Sequence, residues 1–263
     1  MTFLSVIVPV YNEGDRLESS LGHISSYLSR EFPDHEIIAI DDGSSDGSPR
    51  VMEQMRASIP QLRVVQYSPN RGKGAAVRRG LEAAQGEWIA IVDADLELPI
   101  EMLTGFFEVQ RETGAHVLTG SKRHPRSVVE YPKLRMQLSR AYGRLVRSLF
   151  HLPVSDTQVG FKLISRRAVS SIAPHLLVKR FAFDVELLVL LNRRGARFAE
   201  APVQLKFLRR GAGRVRLPTV LNIARETAGI WFRLYITGYY HAVATPLVDP
   251  PAPLPATVSP APN

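Results

Sequence analysis

Asp93, Asp95 and Glu97 stand at alternate positions directly after the apolar run Ile89–Val92. In extended backbone that spacing turns all three carboxylates to one side. Acids so placed repel one another unless a cation sits among them, and hard carboxylate oxygens select Mg²⁺ or Mn²⁺. Such a cation would bridge bound phosphates. Three other polar clusters suit the same kind of ligand. "VPVYNEG", Val8 to Gly14, offers the Tyr11 ring for stacking and Glu13 as an acceptor for a base or ribose, with Asn12 suited to cap a helix. "DDGSSDGS", Asp41 to Ser48, sets two acids and several hydroxyls at a strand exit, with Asp46 or Ser48 capping the next helix. "NRGKGAAVRRG", Asn70 to Gly80, brings Lys73 to a phosphate at a helix N-terminus. Its glycine spacing fits neither the P-loop nor the dinucleotide fingerprint. Asp42, Ser44, Asp46, Gly47 and Glu53 match a calcium-loop spacing. That reading is rejected, because a strand-type run precedes them and Pro49 removes a backbone donor the loop needs.

These clusters need a frame that gathers them. Apolar runs at Leu4–Val8, Glu36–Ile40, Arg63–Tyr67, Trp88–Val92 and His116–Gly120 read as strands. Leu17, Leu21, Ile24 and Leu28 mark one face of an intervening helix; Val77 and Leu81 mark another, and Pro99 suits the first position of a third, running to Thr113. Alternating strands and helices predict an α/β fold with a mostly parallel sheet covered on both faces. Ligands of such sheets bind at the carboxyl ends of the strands, where all four polar clusters fall. Later segments predict helices at Lys133–Phe150 and Asp184–Arg194, a strand at Ala201–Phe207, and a helix at Thr219–Val243 dense in aromatic residues. That last helix suits a membrane interface or a packed core equally. The final 18 residues hold seven prolines and read as disordered.

Composition narrows the partners. The 263 residues carry no cysteine, which excludes disulfides and thiolate chemistry. The net charge of +8 is focused: Ser121 to Arg147 and Arg193 to Arg216 each hold eight Lys/Arg against one acid, leaving the remainder at −6. A focused excess points to an anionic partner such as a phosphate or lipid headgroup. No secretory signal opens the chain and no apolar stretch reaches the length of a membrane span.

The motifs in this order resemble family 2 of the inverting glycosyltransferases, which have the GT-A fold, over Phe3 to Gly120. The resemblance implies that Pro9, Tyr11 and Asp42 hold the nucleotide base, with Glu13 beside them. It implies that Asp93 and Asp95 form a DXD motif that binds the donor's ribose and diphosphate through Mg²⁺ or Mn²⁺, with Glu97 as a third acid. "GSKRHPRSVVEYPKLRMQLSRAYGRLVRSLF" and "LPVSDTQVGFKLI" look like the dolichyl-phosphate glucose synthase branch, with polyprenyl-phosphate mannose synthases as neighbours. By that resemblance Arg123, Arg135 and Ser139 hold an acceptor phosphate, and Asp156 stands in the place of an active-site acid. Gln158 and Lys162 complete its loop, "FDVELL" adds Asp184 and Glu186, and Arg209 or Arg210 falls at a mobile-loop arginine. Asp95, Asp156 and Arg135 are the expected catalytic set. Mannose-type relatives carry Gln where this chain has Glu97, so sugar and nucleotide are not copied across.

The implied activity is inverting transfer of a hexose or N-acetylhexosamine from a nucleotide diphosphate donor, with a UDP-sugar favoured over GDP-mannose, to polyprenyl phosphate. It implies a peripheral place on the cytoplasmic face of a membrane, alone or beside an integral-membrane partner protein. The expected division is a catalytic domain at 1–215, split into a nucleotide-sugar half (1–120) and an acceptor half (121–215). An amphipathic helix at 216–245 and a proline-rich tail at 246–263 follow. A processive polysaccharide synthase would carry a Gln-X-X-Arg-Trp motif, which is missing. A nucleic-acid or membrane-binding module would leave the aligned acids unexplained, and acids repel nucleic acid. A catalytically silent sugar-nucleotide sensor stays open.

Overall fold

The computed structural model describes residues 2–130, 133–206, 217–243, 246 and 247. The first half alternates: β1 (Leu4–Val10), α1 (Gly14–Glu31), β2 (His35–Asp42), α2 (Ser48–Ser58), β3 (Leu62–Tyr67), α3 (Lys73–Ala83), β4 (Trp88–Ile91), α4 (Met102–Thr113) and β5 (Val117–Ser121). The second half runs β6 (Val128–Glu130), α5 (Lys133–Phe150), β7 (Lys162–Ser165), α6 (Arg166–Val169), α7 (Phe183–Arg193), β8 (Phe198–Pro202), β9 (Gln204–Lys206) and α8 (Leu217–Tyr235). Single 3-10 turns at Ala173–His175 and Tyr239–Val243 complete it.

Among the described residues seven strands form one sheet in the order β3-β2-β1-β4-β7-β5-β8, and β6 pairs with β9 apart from it. All pairings are parallel except those of β7, which runs antiparallel to both β4 and β5. β1, β2 and β4 are buried on both faces, which is why they read as unbroken apolar runs. Period-2 alternation sorts their side chains into two cores. Val6, Val8, Ile37 and Ala39 join Leu17, Leu21, Ile24 and Phe107 on one face. Ile7, Ile38 and Ile40 join Val77, Leu81, Val185 and Leu188 on the other.

β7 is the departure from a simple parallel sheet. Because Ile91 pairs with Lys162 and Trp88 with Ser165, the start of β7 lies at the finish of β4. The segment entering β7 therefore reaches the same edge as the segments leaving the parallel strands. β7 is four residues long, inside "GFKLIS", and escaped the periodicity reading. Two further boundaries differ. The helix expected from Pro99 begins at Met102, after a tighter turn in which Met102 N–H donates to Pro99 O (3.2 Å) and Leu103 N–H to Ile100 O (3.0 Å). The strand expected at Ala201–Phe207 is two, β8 and β9, in different sheets.

α8 meets α5 through Tyr142 Oη and Thr227 Oγ1, 2.8 Å apart, and sinks Ile230 and Leu234 into the second core. The opposite side is also apolar: Leu221, Phe232 and Ile236 are 60%, 51% and 59% exposed. The helix is thus a packed core helix on one side and an exposed apolar surface on the other. Among the described residues no helix is long and apolar enough to cross a membrane. Of the proline-rich tail, Leu247 packs on the second core and its N–H donates to Arg194 O (3.0 Å); residues 248–263 lie outside the described residues.

Candidate active site

The exits of β1 and β2 are stitched together before any ligand is considered. Ser44 Oγ accepts from Asn12 N–H (3.0 Å), Asn12 Oδ1 accepts from Ser45 N–H (2.9 Å), and Ser48 Oγ accepts from Glu13 N–H (2.9 Å). Asp46 bridges the starts of two helices, taking Gly14 N–H (3.0 Å) and Ser48 N–H (2.9 Å). The expected caps therefore shift: Glu13 and Gly47 occupy the N-cap positions, neither with a side-chain cap bond.

Asp42 ends β2, buried, with both oxygens engaged. Oδ1 accepts from Tyr67 Oη (2.8 Å) and Arg71 N–H (2.8 Å), and Oδ2 from Asn70 Nδ2 (2.9 Å) and Gly72 N–H (2.8 Å). Four donors fill the roughly four lone-pair sites of a carboxylate. The first task of Asp42 is thus to hold the 70–72 loop that leads into Lys73. That loop needs its glycine: Gly72 has φ 101°, and a Cβ there would stand 2.4 Å from Lys179 O.

Pro9, Tyr11, Glu13, Asp42, Lys73 and Asp93, all six residues read from the sequence as donor-binding, line one cleft of about 520 Å³ at the carboxyl edge of the sheet. Asp95, Gln158, Arg180, Phe181 and Asp184 line it too. Lys73 and Asp93 form an ion pair across it. Burial works against the Lys73 charge, but Asp93 and Asp184, with Asp95 behind them, hold its ammonium above the ordinary lysine range. The cleft therefore carries a negative field at the Asp93–Asp95 end, and its donor set is hard oxygen. That fits Mg²⁺ or Mn²⁺ held by two carboxylates and completed by phosphate oxygens.

Glu97 does not extend the alternation. The chain turns after Asp93, with Leu96 N–H donating to Asp93 O (3.2 Å) and Leu96 at φ 49°, so the extended backbone that would align a third acid is lost. Glu97 instead lines an adjoining cavity of about 130 Å³ that Asp93, Asp95, Lys122 and Gln158 share. Among the described residues no three acid or histidine side chains converge as a metal-binding group. The backbone of Gly160 presses on Asp93: a Cβ there would lie 2.0 Å from Asp93 Oδ2.

A third hollow, about 790 Å³, opens between α5 and α8. Leu138, Leu145, Leu149, Val220, Ile223 and Trp231 supply its apolar walls, and Lys122, Ser139 and Gln158 its polar mouth. Gln158 borders all three spaces, and among the described residues its buried Nε2 has no hydrogen-bond partner.

The remaining acceptor-side expectations divide. Ser139 and Gln158 face the groove. Arg123 turns away: its guanidinium donates to Ser155 O and to Ser139 O (3.2 Å), and burial lowers its basicity. Its neighbour Lys122 faces the cavities in its place, paired with Asp156 at 2.8 Å. Asp156 is buried behind that lysine, and Glu200 steadies its loop by accepting from Ser155 N–H (2.6 Å) and Asp156 N–H (3.2 Å). Lys162 is a correction: at 1% exposure it donates to Asp184 Oδ1 (2.6 Å) and Val159 O (2.5 Å), a core pair that offers nothing to an acceptor. Arg135 sits in the first turn of α5, but its side chain lies outside the described residues, as do Arg209 and Arg210.

The model of the family described as Glycosyl transferase family 2 matches residues 5–173. A dolichyl-phosphate beta-glucosyltransferase of Homo sapiens is 36% identical over 214 residues, covering 76% of this chain and 64% of that protein. That of Saccharomyces cerevisiae is 32% identical, covering 76% and 66%, so the chain spans about two thirds of either relative. Dolichyl-phosphate beta-glucosyltransferase ALG5C of Trichomonas vaginalis is 30% identical, covering 94% and 77%. Among solved structures, glucosyl-3-phosphoglycerate synthase from Mycobacterium tuberculosis in complex with Mn²⁺, UDP and phosphoglyceric acid superposes with TM-score 0.64 at 22% identity, covering 88% and 78% of the two chains.

Proposed function

The chain belongs to glycosyltransferase family 2, and from that membership we propose that it moves glucose, or a closely related hexose, from a UDP-sugar to a polyprenyl phosphate with inversion at the anomeric carbon. The observation that carries this reading is the continuity of three spaces. The cleft with the paired aspartates, the adjoining cavity and the apolar groove share Gln158 in their walls, and Lys122 borders the last two. A nucleotide diphosphate suits the cleft and an isoprenoid chain the groove, so the anionic headgroup falls at their junction. The names of the relatives support the same donor sugar and lipid.

In this reading Tyr11 stacks on the base, Pro9 and Glu13 border it, and Asp42 holds the loop that presents Lys73 to the diphosphate. Asp93 and Asp95 would hold Mg²⁺ or Mn²⁺, which when bound supplies charge stabilisation for the departing diphosphate. The acceptor phosphate is already ionised near neutral pH and needs no strong general base. Lys122 draws it in, and Asp156 holds that ammonium in place. Gln158 donates its Nε2 hydrogens to a phosphate oxygen, and Ser139 borders the headgroup. An acceptor oxygen then bonds to the anomeric carbon as its bond to the UDP oxygen breaks on the opposite face, and UDP leaves with the electron pair. Alignment and electrostatics do this work. Arg135 and Arg209 stay assigned to the acceptor on the family resemblance alone.

The catalytic unit in this reading is residues 1–215, and α8, within the 216–245 segment, floors the lipid groove. Its exposed Leu221, Phe232 and Ile236 would lie in the headgroup region of a bilayer, which supports a peripheral attachment; the cytoplasmic face is assigned on the family resemblance alone. The test is incubation of the purified chain with radiolabelled UDP-glucose, UDP-N-acetylglucosamine or GDP-mannose, polyprenyl phosphate, and Mn²⁺, Mg²⁺ or EDTA. A mild-acid-labile label in the organic phase, from UDP-glucose and only with metal, is the expected result. Label from GDP-mannose alone would replace the donor assignment, and no organic-phase label with any donor would overturn the reading.

A further inference from the structure

α7 carries a carboxylate that no role above uses. Glu186 is fully buried, and burial pushes its carboxyl above the ordinary range in spite of the bonds it accepts. Its Oε2 takes the backbone N–H of Leu177 (2.9 Å) and of Val178 (2.7 Å). Its Oε1 accepts the Tyr240 hydroxyl and lies 3.7 Å from Arg233 Nη2, while Arg233 Nε donates to Tyr240 Oη at 2.7 Å. A carboxylate in a core is costly, so what it organises identifies its use.

What it organises is the segment 177–182, which has neither helix nor strand bonding of its own. The far end of that segment is held by a second carboxylate, Glu226 on α8, which accepts Ala182 N–H (2.9 Å). Between the two anchors the segment lies on the entry to α3 and its first turn. Lys179 O accepts Ala75 N–H (3.2 Å), a Cβ on Gly72 would stand 2.4 Å from Lys179 O, and one on Gly74 would stand 2.7 Å from Val178 O. From this position it contributes Arg180 and Phe181 to the lining of the donor cleft. Both side chains are exposed, so their placement depends on the backbone beneath them.

We propose that Glu186 is a positioning residue for the donor cleft. Together with Glu226 it fixes the backbone that sets Arg180 against the donor's diphosphate, and through Tyr240 it fastens this wall to the C-terminal helix. The proposal rests on the reading of that cleft as a nucleotide-diphosphate site. An arginine on a fixed backbone gives up less freedom when it grips a phosphate than one on a loose loop, so the benefit appears in donor binding.

The test combines UDP titration calorimetry with steady-state kinetics on wild type, Arg180→Ala, Glu186→Ala, Glu186→Gln and the Arg180→Ala/Glu186→Ala double variant. Each alanine variant is expected to raise UDP Kd and donor KM about tenfold with acceptor KM unchanged. The double variant is expected to stay within about threefold of Arg180→Ala, because both changes remove one interaction. Glu186→Gln keeps an oxygen for the two amides and should recover most of the loss. The proposal is overturned if the two losses multiply in full, if donor and acceptor KM rise together, or if Glu186→Ala leaves UDP Kd within twofold of wild type. Should Glu186→Ala fail to fold, Tyr240→Phe and Glu226→Ala each release one anchor and enter the same cycle; about a threefold donor-side effect is expected, and no effect from either overturns the proposal. A wild type that does not bind UDP overturns the donor reading as well, whereas normal wild-type binding with silent variants overturns this proposal alone.

Discussion

Replacing Gly160 by alanine puts one methyl group where the Asp93 carboxylate now lies. The new Cβ would stand 2.0 Å from Oδ2 and 2.8 Å from Cγ of Asp93, where real side chains keep at least 3.0 Å. Asp93 must therefore retreat by about 1 Å, and a misplacement of that size in a reacting constellation costs on the order of 100-fold in rate. That corresponds to about 2.7 kcal/mol of lost transition-state stabilisation. The yielding atoms are the tip of a short side chain at the cleft surface, so the fold should lose less than about 1 kcal/mol. The assay pairs kcat/KM for UDP-glucose, as a function of Mn²⁺ concentration, with urea unfolding of the same preparation. The expected pattern is a rate loss near 100-fold, a weakened metal dependence and an almost unmoved unfolding midpoint. Activity within about threefold of wild type at the wild-type metal concentration would refute the assignment of Asp93 as a group whose exact place matters, and so would a loss explained wholly by unfolding.

Four further outcomes follow from the structure. Lys122→Ala should raise the KM for polyprenyl phosphate about 10- to 100-fold with donor KM nearly constant, the scale of one charged hydrogen bond. Arg123→Ala should lower the unfolding midpoint instead, since its bonds go to Ser155 O and Ser139 O. Trp231→Asp, at the wall of the apolar groove, should cut transfer to a long polyprenyl phosphate at least about tenfold while sparing a short water-soluble prenyl phosphate, read from parallel assays on the two acceptors. Glu36 provides a pH test: burial opposes its charge, but bonds from Ser5 Oγ, Gln85 N–H and Arg63 Nη1, each 2.7 Å, outweigh it and hold the carboxyl below its ordinary value of 4.5. A lowered folded value means its stabilisation is present above pH 4.5 and lost as pH falls through the folded value. Glu36→Gln should therefore cost about 1–3 kcal/mol at pH 7 and flatten the acid limb of stability below the ordinary value of 4.5, measured by urea melts.

The convergence of Pro9, Tyr11, Glu13, Asp42, Lys73 and Asp93 on one cleft was legible because they sit at the exits of parallel strands, and a βα frame brings such exits to one edge whatever the side chains in the core. That needed only correct strand placement, and each strand end was read within about two residues. The acceptor side depends on bends that local pattern does not encode. Lys122 and Arg123 are adjacent in the turn just past β5; Arg123 is expected at the acceptor on the family resemblance alone, and nothing in the local pattern says that Lys122 faces the cavities instead. Glu97 was assigned to the metal on an alternation that the turn at Leu96 cancels. Lys162 was placed on the acceptor side by the family resemblance; a lysine at 1% exposure is rare, and its partner Asp184 accounts for it. Arg180 and Phe181 carry no motif at all; the one available hint was the pair Gly72 and Gly74, which signals that some other backbone must lie close.

The reversed strand between β4 and β5 also bears on how the chain reaches its native state. β4 and β5 are near in the chain yet never touch as neighbours, because both wait for a strand synthesised some 40 residues after β5 ends. A nascent chain released from the ribosome before Ser165 could zip β1 to β4 but would leave β5 without a seam to join, and premature β4–β5 pairing would be a trap. Joining β5 to the sheet and delivering Gly160 to Asp93 are thus one event: the edge built by β1, β2 and β4 can form early, whereas the Gly160 backbone that abuts Asp93 comes with β7.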